Sequence, residues 1–259
     1  MEAAPGALTG YRVLDLCDDK GVLCTKIMAD LGADVIAIEP PGGAATRCCG
    51  PFYHDQVHPE RSLFFWYFYA NKRSITLHPE TPDGQALFKA LVKTADVLVE
   101  TFPPGYLDRL GLGYADLRAF HPGLVMTSIT GFGSTGPYCH YKAPDLVGLA
   151  MGGLMYLCGE PDGAPVPPGG QQGDHLAALN GVTGTLIALW HREITGEGQH
   201  VDAPRAEPFD LFMAALAALD RSNVGFRGNS ARPLWADSAA PDAEPQRPVS
   251  DSKAARYGR

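Results

Sequence analysis

Short apolar runs and amphipathic stretches alternate along the chain with the periods of strands and helices. Tyr11–Leu16 (YRVLDL) is an apolar run with aromatic and β-branched members, which predicts a first strand. In Gly21–Leu31 the apolar residues Val22, Leu23, Ile27, Met28 and Leu31 recur at helical spacing, and Gly32 supplies a stop. Asp34–Glu39 (DVIAIE) hardly alternates, as a strand buried on both faces should not. Strand, helix and strand in so short a span make a βαβ unit, and hence a parallel sheet.

The alternation continues. Leu63–Tyr69 (LFFWYFY) is densely aromatic and reads as a core-facing segment, or as a wall for a flat or acyl group. Strands are predicted at Ser74–Leu77, Asp96–Glu100, Leu124–Thr130 and Gln199–Asp202. Helices are predicted at Pro82–Thr94, around Arg109, and at Tyr114–Phe120, Asp145–Leu157, 175–194 and Phe209–Leu219. The class is α/β: a Rossmann-like, mostly parallel sheet flanked by helices.

Composition narrows the function. Of 259 residues 45% are apolar and 19% charged, as in an ordinary globular protein. A net charge of −8 argues against a general nucleic-acid binder and leaves room for a small anionic ligand opposed by local cations. The six cysteines form no CxxC pair and no zinc spacing, so no metal is expected, and reduced thiols point to the cytoplasm. The N-terminus has no signal-peptide pattern. The longest apolar stretch, Leu176–Trp190, is interrupted by Asn180 and Thr183 and is too short for a bilayer, so no membrane association is expected. From Ala236 onward the chain is rich in Ala, Pro and Ser, and a disordered tail is expected there.

Four places carry candidate chemistry. Asp174 follows the loop Gly169–Gly173 at a predicted helix start, where backbone N–H groups are unpaired. It reads as a helix cap or as a carboxylate nucleophile. The adjacent cations Lys72 and Arg73 suit phosphates, and Thr101–Gly105 lies at the C-terminal end of the fourth strand, where parallel sheets bind ligands. Gly131–Gly136 (GFGSTG) matches GxGxxG literally. It follows the fifth strand, however, and Pro137 comes where a helix should open, so it reads as a Gly-rich loop lining another cleft and not as a dinucleotide site.

Several motifs in one order resemble the family III CoA-transferases of CaiB/BaiF type, the group of formyl-CoA:oxalate and carnitine CoA-transferases. They are RVLDL (12–16), ADLGADVIAIEPPGG (29–43), NKRSITL (71–77), ADVLVETFPPGYLDRLGLGY (95–114), SITGFGSTGPY (128–138) and TGEGQHVD (195–202). The resemblance implies that Asp174 is the nucleophile, with Gly173 beside it. It implies coenzyme A, carried in as acyl-CoA, held by Lys72, Arg73, Thr101, Phe102, Arg109, Gly131, Gly133 and Lys142. It further implies an organic acid as second substrate and a homodimer, interlocked in full-length relatives, or a related subunit as partner. The implied reaction runs through an aspartyl anhydride and an aspartyl-CoA thioester.

Two departures bear on function. Ala37 stands where the family has a lysine, which removes one phosphate contact. The racemase branch has a His-Asp pair before the helix near Asp145, whereas Ala143 and Pro144 stand here, so a transferase is preferred over a 2-methylacyl-CoA racemase. Relatives are longer. The resemblance therefore divides the chain into a CoA-binding domain (1–205), a helical exit segment toward an absent small domain (206–235) and a tail (236–259). A non-catalytic CoA-binding fragment or partner subunit is the alternative function.

Overall fold

The computed structural model describes residues 6–160 and 163–206. Its elements are β1 (Arg12–Leu16), α1 (Val22–Asp30), β2 (Asp34–Glu39), α2 (Leu63–Tyr69), β3 (Lys72–Thr76), α3 (Pro82–Val92) and β4 (Val97–Glu100). They continue with α4 (Tyr106–Arg109), α5 (Tyr114–Arg118), β5 (Val125–Thr130), α6 (Asp145–Met151), α7 (Leu154–Leu157), α8 (Gln172–Thr195) and β6 (His200–Pro204). Six strands form one sheet in the order β3-β2-β1-β4-β5-β6, and every pairing is parallel. The chain winds outward from β1 on both sides, so the order reverses between β1 and β4. Beyond the C-terminal ends of those strands a crevice is expected.

Successive side chains of a strand point to opposite faces, and here both faces are covered. Val13, Val35, Val97, Val99, Val125 and Ile129 pack against Met28 of α1 and Ala177, Ala178 and Val182 of α8. Leu14, Ile36, Leu98 and Met126 pack on the other side against Phe88 and Val92 of α3, Leu107 of α4 and Leu117 of α5. The apolar runs lack polar alternation for this reason. The sheet is the α/β, Rossmann-like one that the pattern predicts.

Local differences have local causes. The aromatic segment is a helix, started by Ser62, whose Oγ accepts from the Phe65 N–H at 3.0 Å. Phe68 and Tyr69 are buried, while Trp66 and Tyr67 are exposed. The single helix expected over Asp145–Leu157 is two, because Gly153 takes a left-handed conformation (φ 83°) after Gly152. Helix α8 begins at Gln172, earlier than expected, with Gln171 at its cap position. Asp174 is therefore in the first turn and is not the N-cap. Helix Phe209–Leu219, nearly all of the exit segment and the tail lie outside the described residues. No described helix is long and apolar enough to cross a membrane.

Candidate active site

Asp174 is held from two sides. Its backbone N–H donates to Asp145 Oδ1 at 2.9 Å, which joins the first turn of α8 to the first turn of α6. A side chain at Gly173 would forbid this approach, since a Cβ there would lie 2.8 Å from Asp145 Oδ1. The carboxylate meets Arg205, which follows β6: Nε lies 2.5 Å from Asp174 Oδ1, as an ion pair off the line of a good hydrogen bond. Arg205 is anchored by Nη1, which donates to the Ala143 carbonyl, and by its own N–H, which donates to the Thr130 carbonyl at 2.9 Å. Its stem fills the space of an absent side chain, since a Cβ on Gly148 would come within 2.7 Å of Arg205 Cδ.

Both partners are nearly sealed, with 4% of Asp174 and 3% of Arg205 exposed. Burial pushes the Asp174 carboxyl up to about 7; Arg205 and Lys20 oppose the rise, and Asp145 and Asp19 add to it. Near neutral pH the group is therefore divided between acid and carboxylate, and the carboxylate is the form able to attack an electrophile.

A cavity of about 380 Å³ opens at the switch point. The ends of β1, β2 and β3 line it through Leu16–Asp18, through Ile38, Pro40 and Pro41, and through Leu77–Glu80, and Phe102 and Tyr106 close it from the β4 side. Those two rings lie 4.5 Å apart between centroids. Thr101 supports the cavity from below, its Oγ1 accepting from the Asp18 N–H at 2.9 Å. The β1–α1 loop links cavity and carboxylate: Cys17 and Asp18 line the cavity, and Asp19 and Lys20 act electrostatically on Asp174. Arg47 braces the rim, with Nε 2.6 Å and Nη2 2.8 Å from the two Glu39 oxygens, and holds that carboxyl down to about 2.

The structure does not bring all the expected CoA ligands to this cavity. Lys72 and Arg73 sit at the start of β3, and neither lines it. Lys72 Nζ donates to Asp15 Oδ2 at 2.8 Å, Thr25 Oγ1 at 2.7 Å and the Val22 carbonyl at 3.2 Å, because a buried acid in β1 requires a cation. Arg73 Nη2 lies 2.6 Å from Asp34 Oδ2 on the exposed surface. Each of the two cations thus has an acidic partner in this structure. Arg109 is exposed, 5.8 Å from the centre of the Tyr106 ring, just outside the cavity. Gly131 packs on Ala143, Gly133 is buried at φ 84°, and Lys142 is exposed on the same loop, so these three flank Arg205 and not the cavity. Among the described residues no group of three His, Cys, Asp or Glu is placed to hold a metal ion.

The sequence model of CoA-transferase family III matches residues 8–239. The chain belongs to this family. As a family III chain it is 37% identical to succinate–glutarate CoA-transferase of Agrobacterium fabrum over 242 residues, covering 92% of this chain and 59% of that one. It is 42% identical to formyl-CoA:oxalate CoA-transferase of Streptomyces avermitilis over 197 residues, covering 76% of this chain and 47% of that one. A CAIB/BAIF family protein from Brucella suis has a crystal structure that superposes with a TM-score of 0.77 at 38% identity, covering 87% of this chain and 60% of that one. The family III chain thus spans about half to three-fifths of the relatives it matches.

Sequence reasoning passed over two groups. Leu77–Glu80 and Tyr106 line the cavity, beside Tyr69 of the aromatic stretch, and the position of 77–80 after a parallel strand was the available signal. Arg205 carried no signal, since only the tertiary fold brings the end of β6 to the start of α8.

Proposed function

We propose that the whole protein moves CoA between an acyl-CoA thioester and an organic acid, with Asp174 as the covalent nucleophile. Asp174 Oδ attacks the thioester carbonyl carbon; a C–O bond forms, the C–S bond breaks and the thiolate leaves with the electron pair. The thiolate then attacks the aspartyl carbonyl of the anhydride, giving an aspartyl-CoA thioester and releasing the first acid. The acceptor carboxylate reverses both steps and leaves as its CoA thioester. Backbone N–H groups near Gly173 at the open start of α8 are suited to stabilising each oxyanion.

The observation that carries this reading is the β1–α1 loop, whose Cys17 and Asp18 line the switch-point cavity and whose Asp19 and Lys20 act electrostatically on the buried carboxylate in the first turn of α8. In this reading the cavity takes the nucleotide end of CoA, with the Phe102 and Tyr106 rings against a flat base, and Arg109 outside it meets phosphates. The relatives act on succinate, glutarate and oxalate, so a short dicarboxylic acid is the proposed acceptor. A homodimer or a related subunit completes the proposal. A CoA-binding chain without catalysis is the second reading, favoured by the near-complete burial of Asp174 beneath Arg205. The test is calorimetric titration with CoA, followed by incorporation of labelled succinate into CoA thioester from an unlabelled acyl-CoA donor, which releases its own acid. Binding with incorporation supports transfer, binding without incorporation for any of a panel of acids supports the second reading, and no binding refutes both.

A further inference from the structure

We propose that Arg205 is a fixed counter-charge that takes the carboxylate of the organic acid whenever Asp174 is uncharged. This rests on Asp174 as the nucleophile and adds a binding residue for the acid. Three elements face the Asp174 carboxylate with charge: Arg205 after β6, Asp145 on α6, and the β1–α1 loop with Asp19 and Lys20. Among the described residues, Arg205 makes its ion pair with Asp174 alone.

Attack on a thioester consumes the charge of that partner. The new C–O bond turns the Asp174 carboxylate into a neutral acyl group, and the negative charge leaves on sulfur. Arg205 cannot shed its proton to compensate, since a guanidinium stays charged in a protein. At 3% exposure it is then a buried cation without its anionic partner, open to pairing with an incoming anion. The cycle supplies one anion in place of each charge it consumes: first the thiolate, then the carboxylate of the released or incoming acid. A carboxylate matches the guanidinium fork with two oxygens, so the acid is the partner with the better geometry. Arg205 is also fixed independently of Asp174, through the Ala143 carbonyl and its stem against Gly148. The guanidinium therefore keeps its place when Asp174 loses its charge.

The test needs no turnover, so it stands apart from the transfer reaction. Asp174→Asn imitates the neutral acyl state, and acetate serves as the probe. The variant should bind acetate at least about tenfold more tightly than the wild type near pH 8, read by calorimetry and by the rise in melting temperature. Asp174→Asn with Arg205→Gln should lose that gain, and chloride should not reproduce it. Equal acetate affinity in wild type and Asp174→Asn overturns the proposal, as does a double variant that binds like the single one, or an equal gain with chloride. The wild type provides a second measurement should the variant fail to fold. Its acetate affinity should rise as pH falls from about 8.5 to about 6, while acetate itself stays ionised. A flat profile overturns the proposal. Acetate binding without CoA exchange would leave the Arg205 site standing and remove the transferase reading.

Discussion

Lys72→Met tests how the floor of the cavity is held. The Lys72 and Asp15 side chains are each 1% exposed, and Nζ makes all three of its hydrogen bonds to Asp15, Thr25 and Val22. Nζ also lies 4.7 Å from the centre of the Tyr69 ring. Removing the ammonium leaves Asp15 buried with only Thr25 Oγ1 at 2.7 Å and the Cys17 N–H at 2.9 Å. An uncompensated buried charge costs about 3–5 kcal/mol, against a total stability of about 5–15 kcal/mol. The lost ring contact adds about 1 kcal/mol. Replacing both partners, with Asp15→Leu and Lys72→Met together, should recover most of the loss, since apolar groups of similar volume need no counter-charge. Arg73→Met is the control: its side chain is 62% exposed beside Asp34, and such pairs are worth about 0–1 kcal/mol. Urea denaturation followed by circular dichroism reads all three. A loss below about 1 kcal/mol for Lys72→Met, or a double variant no more stable than the single one, would refute the reasoning.

Three further outcomes follow from the structure. Asp174 protonates near 7 in the folded chain and near 3.8 when unfolded, so the native state holds the extra proton between those values. Stability should fall as pH rises through that window, with Asp174 contributing up to about 4 kcal/mol; Asp174→Asn should remove that share and leave the comparable one of Glu100, whose carboxyl burial also raises to about 7. Glu39 has the opposite sign. Held at about 2 by Arg47, it contributes stability present above about 4.5 and lost as pH falls toward 2, and Glu39→Gln should flatten the acid limb of a thermal-denaturation series. Gly198→Ala should destabilise by about 2–3 kcal/mol in the same assay, because its Cβ would lie 1.9 Å from the Leu124 carbonyl oxygen and the backbone must move.

The fold was legible because the four central strands, β2, β1, β4 and β5, are covered on both faces and so read as nearly continuous apolar runs. Asp15 was the informative exception: an acid inside RVLDL demands a buried cation. Nothing local showed that Lys72 supplies it, since 57 positions separate the two. The sequence therefore presented Lys72 and Arg73 as free phosphate ligands when each already had an acidic partner. The break between α6 and α7 was visible as Gly152-Gly153, but adjacent glycines fit a closely packed helix as well as a bend. Asp174 was found from its Gly-rich approach and the family motifs around it. Its partner was hidden, because a pattern along the chain carries no information about which arginine a fold delivers to a helix start.

The central claim is that Asp174 attacks an acyl-CoA. The direct measurement is mass spectrometry of the chain after incubation with a panel of acyl-CoA thioesters and trapping with hydroxylamine. A hydroxamate is expected on the peptide that contains Asp174, absent from Asp174→Asn. A chain that binds CoA yet forms no adduct at Asp174 with any thioester, or forms one at another residue, would contradict it.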